Sequence, residues 1–322
     1  MLKKSLILLL TFLSMWLSLD TFAKNHEPSK VYVGVYVEGI RSISYNQESF
    51  TGDLTVWFRW KDKDIYPNKT FKLKNAKINS QKAVFSGLVN QGEEHLEIID
   101  ISATFFTKWD ITHFPFDNQT LKIQIEEDED DPNVEVLYLS DDQNIRPSSD
   151  VEIASWKIRH EKSYVTCNKF NSNYGNPSTN IDNACSTQFN HNIDIEKKSE
   201  LIGFKVLICP IVAILLLALG LLLPPSEGAR IGIPTTAAFL LISSQFILNN
   251  LLPPSIGYSF AEKLISFGLL QCLLLVIFTV LSVRYYKNNQ LDLSLKIDKN
   301  LLRVAVVLDI LFAIYTVYVI SL

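Results

Sequence analysis

The sequence predicts a β-sandwich followed by a four-helix transmembrane bundle, and three observations carry that prediction. Short β-branched and aromatic runs, split by turn residues, fill positions 30–200. Four apolar runs, each near the ~20 residues that a spanning helix needs, all lie after position 200. The mean hydropathy is +0.14, with 48% apolar residues, which a soluble globular chain of 322 residues rarely reaches.

The chain opens on Lys3 and Lys4, an apolar stretch Leu6 to Leu19, and the small-residue site Thr21-Phe22-Ala23. That order reads as a signal peptide over 1–23, cleaved near Ala23, and sends the next domain to an oxidising space. Residues 24–200 then read as one extracellular or periplasmic β-sandwich. Val31 to Val37, Asp53 to Trp60, Leu96 to Phe106, Gln119 to Ile125 and Val134 to Leu139 are its clearest strands. Helical periodicity is absent, and short strands at regular spacing make a sandwich. Cys167 and Cys185 stand 18 positions apart in this polar half, without zinc-type spacing, and an exported pair favours a disulfide. Cys209 and Cys272 lie inside apolar runs and read as packing residues.

Residues 201–322 read as the membrane domain, with helices over about 201–223, 229–252, 258–284 and 300–321. Lipid satisfies no exposed backbone group, so helices are the expected crossing elements. An exported first domain runs the first helix inward. Arg284, Lys287, Lys296, Lys299 and Arg303 between the third and fourth helices agree, because positive residues stay inside. Pro253 to Phe260, on the opposite side, carries no charge. Asp309 is a lone acid in the fourth run, facing either Thr279 or the inner surface.

Composition also excludes functions. A net charge of −4 gives no basic face for nucleic acid. Five scattered histidines and no nucleophile–base pair leave no enzyme site. Transporters repeat their helix sets, and this chain does not. A periplasmic sensor stays open as an alternative.

The second apolar run is more polar than the others. One helical face reads Gly232, Thr236, Phe239, Ser243, Phe246 and Asn250, while Ile233, Leu240, Leu241, Ile247 and Leu248 occupy the rest. Polar groups in a bilayer face protein or a watery path. Two arrangements satisfy that face: a helix–helix interface, or a pore enclosed by a ring of copies.

Trp109-Asp110-Ile111-Thr112-His113-Phe114-Pro115-Phe116-Asp117-Asn118-Gln119 resembles the signature loop of the pentameric ligand-gated ion channels, the Cys-loop receptor superfamily. Trp60-Lys61-Asp62 resembles the family's strand-two motif, and Pro210, Leu223-Pro224 and Pro253 stand at its spacing around the first two helices. Thr107 and Leu121 occupy the positions of the bracketing cysteines, and no large domain separates the last two helices; both features resemble the prokaryotic branch. Phe246 and Asn250 resemble the outer pore residues of a bacterial member.

The resemblance implies a homopentamer in the bacterial inner membrane, with four identical subunits and the bilayer as partners. The six-residue stripe would line the pore, with Phe239 and Phe246 as its closed gate. It implies a small-molecule or ion ligand between neighbouring sandwiches. Trp57 and Arg59 would face it from one side, and Tyr164, Phe170, Tyr174 and Phe189 of a capping loop at 164–189 from the other, with Glu127 and Asp128 nearby; aromatics with carboxylates suit an organic cation. A short first binding loop is expected around Phe85 to Gly92. Glu127, Asp128, Asp130 and Asp131 are candidate ligands for a divalent cation such as calcium. Glu48, Phe114, Pro115, Phe116, Asp117 and Pro254 would form the gating junction, with Asp117 paired to Lys197 or Lys198. At the inner mouth, Glu227 suits a cation-selective ring, with Arg230 snorkelling to the cytosol. Gly228-Ala229-Arg230-Ile231-Gly232 resembles the anion-channel members, so an anion-selective channel is the alternative.

Overall fold

The structure, a computed structural model, describes residues 28–127, 136–141, 153, 155–169, 185–198, 200–220, 222–253 and 258–321. Nine strands precede four long helices among them. They are β1 (Ser29–Ser44), β2 (Ser49–Trp60), β3 (Phe71–Leu73), β4 (Ala76–Val89), β5 (Glu94–Phe106), β6 (Gln119–Glu127), β7 (Val136–Ser140), β8 (Trp156–Lys169) and β9 (Cys185–Lys197). A five-stranded sheet runs β4-β5-β2-β1-β7 and a four-stranded sheet runs β3-β6-β9-β8.

Alternation builds the two-layer core. In β2, Phe50, Leu54, Val56, Phe58 and Trp60 point inward, while Thr51, Asp53, Thr55, Trp57 and Arg59 point outward. Leu121, Ile123 and Ile125 of β6 meet them from the other sheet, with Ile193 and Ile195 of β9. Each such side chain, fully buried, contributes about 1.5–3 kcal/mol. Gly34 has a packing reason: Trp57 lies across it, and a Cβ there would stand 2.1 Å from the indole.

Two expectations about this half are corrected. Phe85 to Gly92 is not a free loop: it is the end of β4, paired to β5, followed by a 3-10 turn at Asn90–Gly92. β4 is exposed along most of its length, so no apolar face marked it as a strand. Within the expected capping loop, Tyr164 lies on β8 and Phe189 on β9. Phe170 and Tyr174 lie outside the described residues, as do Asp128, Asp130, Asp131, Pro254 and the whole 1–23 segment.

The helices are α1 (Glu200–Gly220), α2 (Ala229–Leu251), α3 (Phe260–Lys287) and α4 (Leu291–Ser321). Three of them, over Ala229–Leu251, Phe260–Lys287 and Leu291–Tyr318, are long and apolar enough to cross a bilayer; α1 contributes a shorter apolar stretch, Phe204–Gly220. Helix α3 begins on a capping box, in which the Ser259 hydroxyl accepts from the Glu262 N–H and the Glu262 carboxylate accepts from the Ser259 N–H. Gly268 lets α3 close on its neighbours: a Cβ would stand 3.0 Å from Leu241 of α2 and 3.3 Å from Ile214 of α1. Helix α4 starts at Leu291, well before the expected 300, because charged residues continue as helix past the apolar run. Its first turn packs back onto α3, where the Ser282 and Ser294 hydroxyls meet at 2.9 Å.

Candidate functional site

Helix α2 has two unlike faces. Arg230, Pro234, Ala237, Leu241, Ser244 and Leu248 are buried against neighbouring elements. Gly232, Thr236, Phe239, Phe246 and Asn250 are exposed and Ser243 is half-buried; Phe239 and Phe246 are 71% and 69% exposed. The stripe's polar donors are turned into their own helix: Thr236 Oγ1 donates to Gly232 O at 3.1 Å and Asn250 Nδ2 to Phe246 O at 3.0 Å. The result is a stripe of small, polar and aromatic groups, flanked by exposed Ile231, Ile242 and Ile247, that nothing in the chain covers among the described residues.

At its lower end the helix begins at Ala229, as the sequence predicts, so Glu227 stands just outside it, exposed. Arg230 does not snorkel: it is 1% exposed, and both its Nη groups donate to the carboxylate of Asp298 on α4. The reason is that α4 extends down to place a partner beside it, where the sequence suggested only a loop.

The loop between β5 and β6 meets the helices at α3 and α1. Phe260 N donates to Thr112 O at 3.1 Å and Ala261 N to Phe114 O at 3.2 Å, so this loop sits on the start of α3. Phe116 stacks edge-on against Phe204 of α1, with centroids 5.5 Å apart, and near Phe260 of α3 at 6.3 Å. The β1–β2 turn reaches the top of α2, where Asn46 Nδ2 donates to Asn250 O at 3.2 Å. Glu48, in that turn, adopts a positive φ of 47° and accepts from Thr107 N through its carbonyl.

Asp117 is the centre of this junction. It is 4% exposed, and Lys197 Nζ stands 2.8 Å from its Oδ1. Tyr45 Oη donates to its Oδ2 at 2.5 Å and Gln119 Nε2 donates to the same oxygen at 2.6 Å. Lys197 also donates to Pro115 O at 2.6 Å and faces the rings of Phe114 and Trp156. Of the two lysines expected here, Lys197 makes the pair; Lys198, one residue past the end of β9, is exposed. Burial first, and then the Asp117 charge, push the Tyr45 phenol far above its ordinary value, so it stays a donor. Tyr45 and Trp156 escaped sequence reasoning, since nothing local ties them to Asp117.

The outward face of β2 holds a second polar cluster. Arg59 Nη1 pairs with Glu94 at 2.9 Å, Nη2 with Asp141 at 3.3 Å, and its guanidinium sits 4.5 Å over the Tyr32 ring. Trp57 Nε1 donates to the other oxygen of Asp141 at 3.2 Å. The hydrogen bond from Arg59 holds the Glu94 carboxyl below its ordinary range despite burial. For Arg59, burial works against the charge and is outweighed by the bonds to Glu94 and Asp141, which raise its pKa. Tyr164 is half-buried on β8, and its hydroxyl accepts from Asn192 Nδ2 at 3.3 Å. Phe189 is 0% exposed in the sandwich core, so it is removed from the ligand-facing set. Glu127 belongs to β6 and accepts from the Tyr138 hydroxyl at 2.6 Å and from Thr70. No cluster of three metal-ligating side chains occurs among the described residues.

Asp309 bonds to Gln271 rather than to Thr279. Its Oδ1 accepts from Gln271 Nε2 at 2.9 Å, and it lines an apolar cavity of about 420 Å³ with Phe204, Phe260 and Phe312.

A β-sandwich-like region joined to helices of membrane-spanning length defines a membrane protein. Compared with known proteins, the chain matches no family model and no curated protein.

Proposed function

We propose that the chain is one subunit of a homopentameric ligand-gated ion channel whose four helices form the transmembrane bundle and whose pore is lined by α2. The observation that carries this reading is the one-sided burial of α2. The face led by Arg230, Pro234, Ala237, Leu241, Ser244 and Leu248 packs inside the chain, while Gly232, Thr236, Phe239, Phe246 and Asn250 remain uncovered, flanked by exposed Ile231, Ile242 and Ile247. A closed ring of identical copies covers such a face without exposing its polar groups to lipid. The resemblance of the 109–119 loop, seated on α3, supports the same reading, with that loop as the path from ligand to pore.

Exposed Glu227 below the stripe supports cation selectivity, since five copies set a negative ring at the inner mouth. The sandwich domain is periplasmic in this account and the helices cross the inner membrane. A bridge between Cys167 and Cys185 staples the capping loop. Its support is the β8–β9 register, in which Cys167 pairs with Thr187 and Cys185 with Lys169, so the two positions lie diagonally across neighbouring strands.

Cross-linking of the purified chain in detergent, followed by sodium flux into liposomes, tests the proposal. Pentamers with ligand-dependent flux support it. A monomer that leaves liposomes sealed against every ligand and pH step would refute it.

A further inference from the structure

We propose that Asp298 on α4 fixes the charge selectivity of the inner mouth by holding Arg230 away from the permeation path. The inference rests on the channel reading above. Each residue turns a helix by about 100°. Arg230 leads the buried stripe and Gly232 leads the exposed stripe of α2, two residues apart and so roughly 200° around the axis. The guanidinium therefore leaves α2 on the side opposite the stripe.

It does not return to water. Nη1 donates to Asp298 Oδ2 at 2.8 Å and Nη2 donates to Oδ1, a bidentate pair. Arg230 is 1% exposed and the Asp298 side chain 15% exposed. Asp298 is the acid that meets it, for Asp292 at the start of α4 is exposed, as are Lys296, Lys299 and Arg284. An arginine keeps its charge at any working pH. Five unpaired guanidiniums at this level would oppose the ring of Glu227 carboxylates and repel cations. Five bidentate pairs leave Glu227 as the uncompensated charge of the mouth. Asp298 touches no permeating ion: it is a positioning residue.

The test uses the full chain with two readouts. Purified parent and Asp298→Asn are treated with phenylglyoxal, and modification of Arg230 is read by peptide mass spectrometry. Both are also reconstituted, and reversal potentials are recorded in a sodium chloride gradient. Arg230 is expected to be protected in the parent and modified in Asp298→Asn, whose sodium-over-chloride permeability ratio falls at least several-fold. The double variant Arg230→Gln/Asp298→Asn leaves no unpaired charge and is expected to keep the parent's ratio, which also decides the matter if the single variant does not assemble. Equal modification of Arg230 in both chains overturns the inference, as does an unchanged ratio in Asp298→Asn or a shifted ratio in the double variant. A parent that conducts no ion defeats the channel reading itself. A conducting parent with an unmoved ratio in Asp298→Asn defeats this inference alone.

Discussion

Lys197, the last residue of β9, places its ammonium 2.8 Å from Oδ1 of Asp117, which is 80 positions earlier in the chain and nearly buried. The pair ties the strand that leads into α1 to the loop that rests on α3. Charge, hydrogen bonds from Tyr45 and Gln119, and three aromatic rings around the ammonium all act on the same point.

Removing one partner strands the other in a dry site, which costs about 3–5 kcal/mol. Asp117→Ala should therefore lower thermal stability sharply. The exposed Arg41–Asp53 pair is the control, since surface pairs are worth about 0–1 kcal/mol. Arg41→Ala should leave the melting temperature almost unchanged. Equal, small shifts for the two variants in a melting experiment would contradict this account of the junction.

Phe239 and Phe246 point away from the protein interior, so replacing them removes little packing. Phe239→Ser should fold and assemble like the parent. In a five-fold ring it should also let water into the gate. Flux without ligand, or activation at lower ligand doses, is the expected result in liposomes. Parent-like closure would move the gate elsewhere.

Glu94 supplies a pH prediction. Its carboxyl is held below the ordinary value of 4.5, so its contribution to stability is present above that value and is lost as pH falls through the lower folded value. Melting temperatures measured from neutral pH downward should fall in the parent below 4.5. Glu94→Gln should start lower at neutral pH and lose less over the same acid interval. Parallel curves for the two chains would show that the Arg59 pair does not tune Glu94.

Gly34 and Trp57 give a packing prediction. Any Cβ at Gly34 collides with the indole, so Gly34→Ala must displace Trp57 and break its bond to Asp141. Overpacking of this kind costs about 1–3 kcal/mol. The expected readout is a lower melting temperature and a changed tryptophan emission. An unchanged spectrum would mean that Trp57 already stands clear.

What the sequence revealed follows from burial. Strands β1, β2, β5 and β6 were legible because one face of each is apolar. β4 was not, since most of it faces solvent, and β9 was hidden by buried polar residues such as Gln188, Asn190 and His191. The α2 stripe was legible from periodicity alone. The Arg230–Asp298 pair was not, because hydropathy marks where charge begins and not where a helix ends. Asp117 and its lysine partner were legible from the motif, with Lys197 or Lys198 left open, but Tyr45 lies 72 positions away with nothing local to tie it to Asp117.

The most direct test of the pore is cysteine accessibility along α2, in a Cys209→Ser background that removes the exposed native thiol. Thr236 lies on the exposed stripe and its neighbour Ala237 is buried. Currents through Thr236→Cys should be blocked irreversibly by a water-borne, membrane-impermeant thiol reagent, while currents through Ala237→Cys persist. Conductance untouched at Thr236→Cys, or block at both positions alike, would contradict a pore lined by this face of α2.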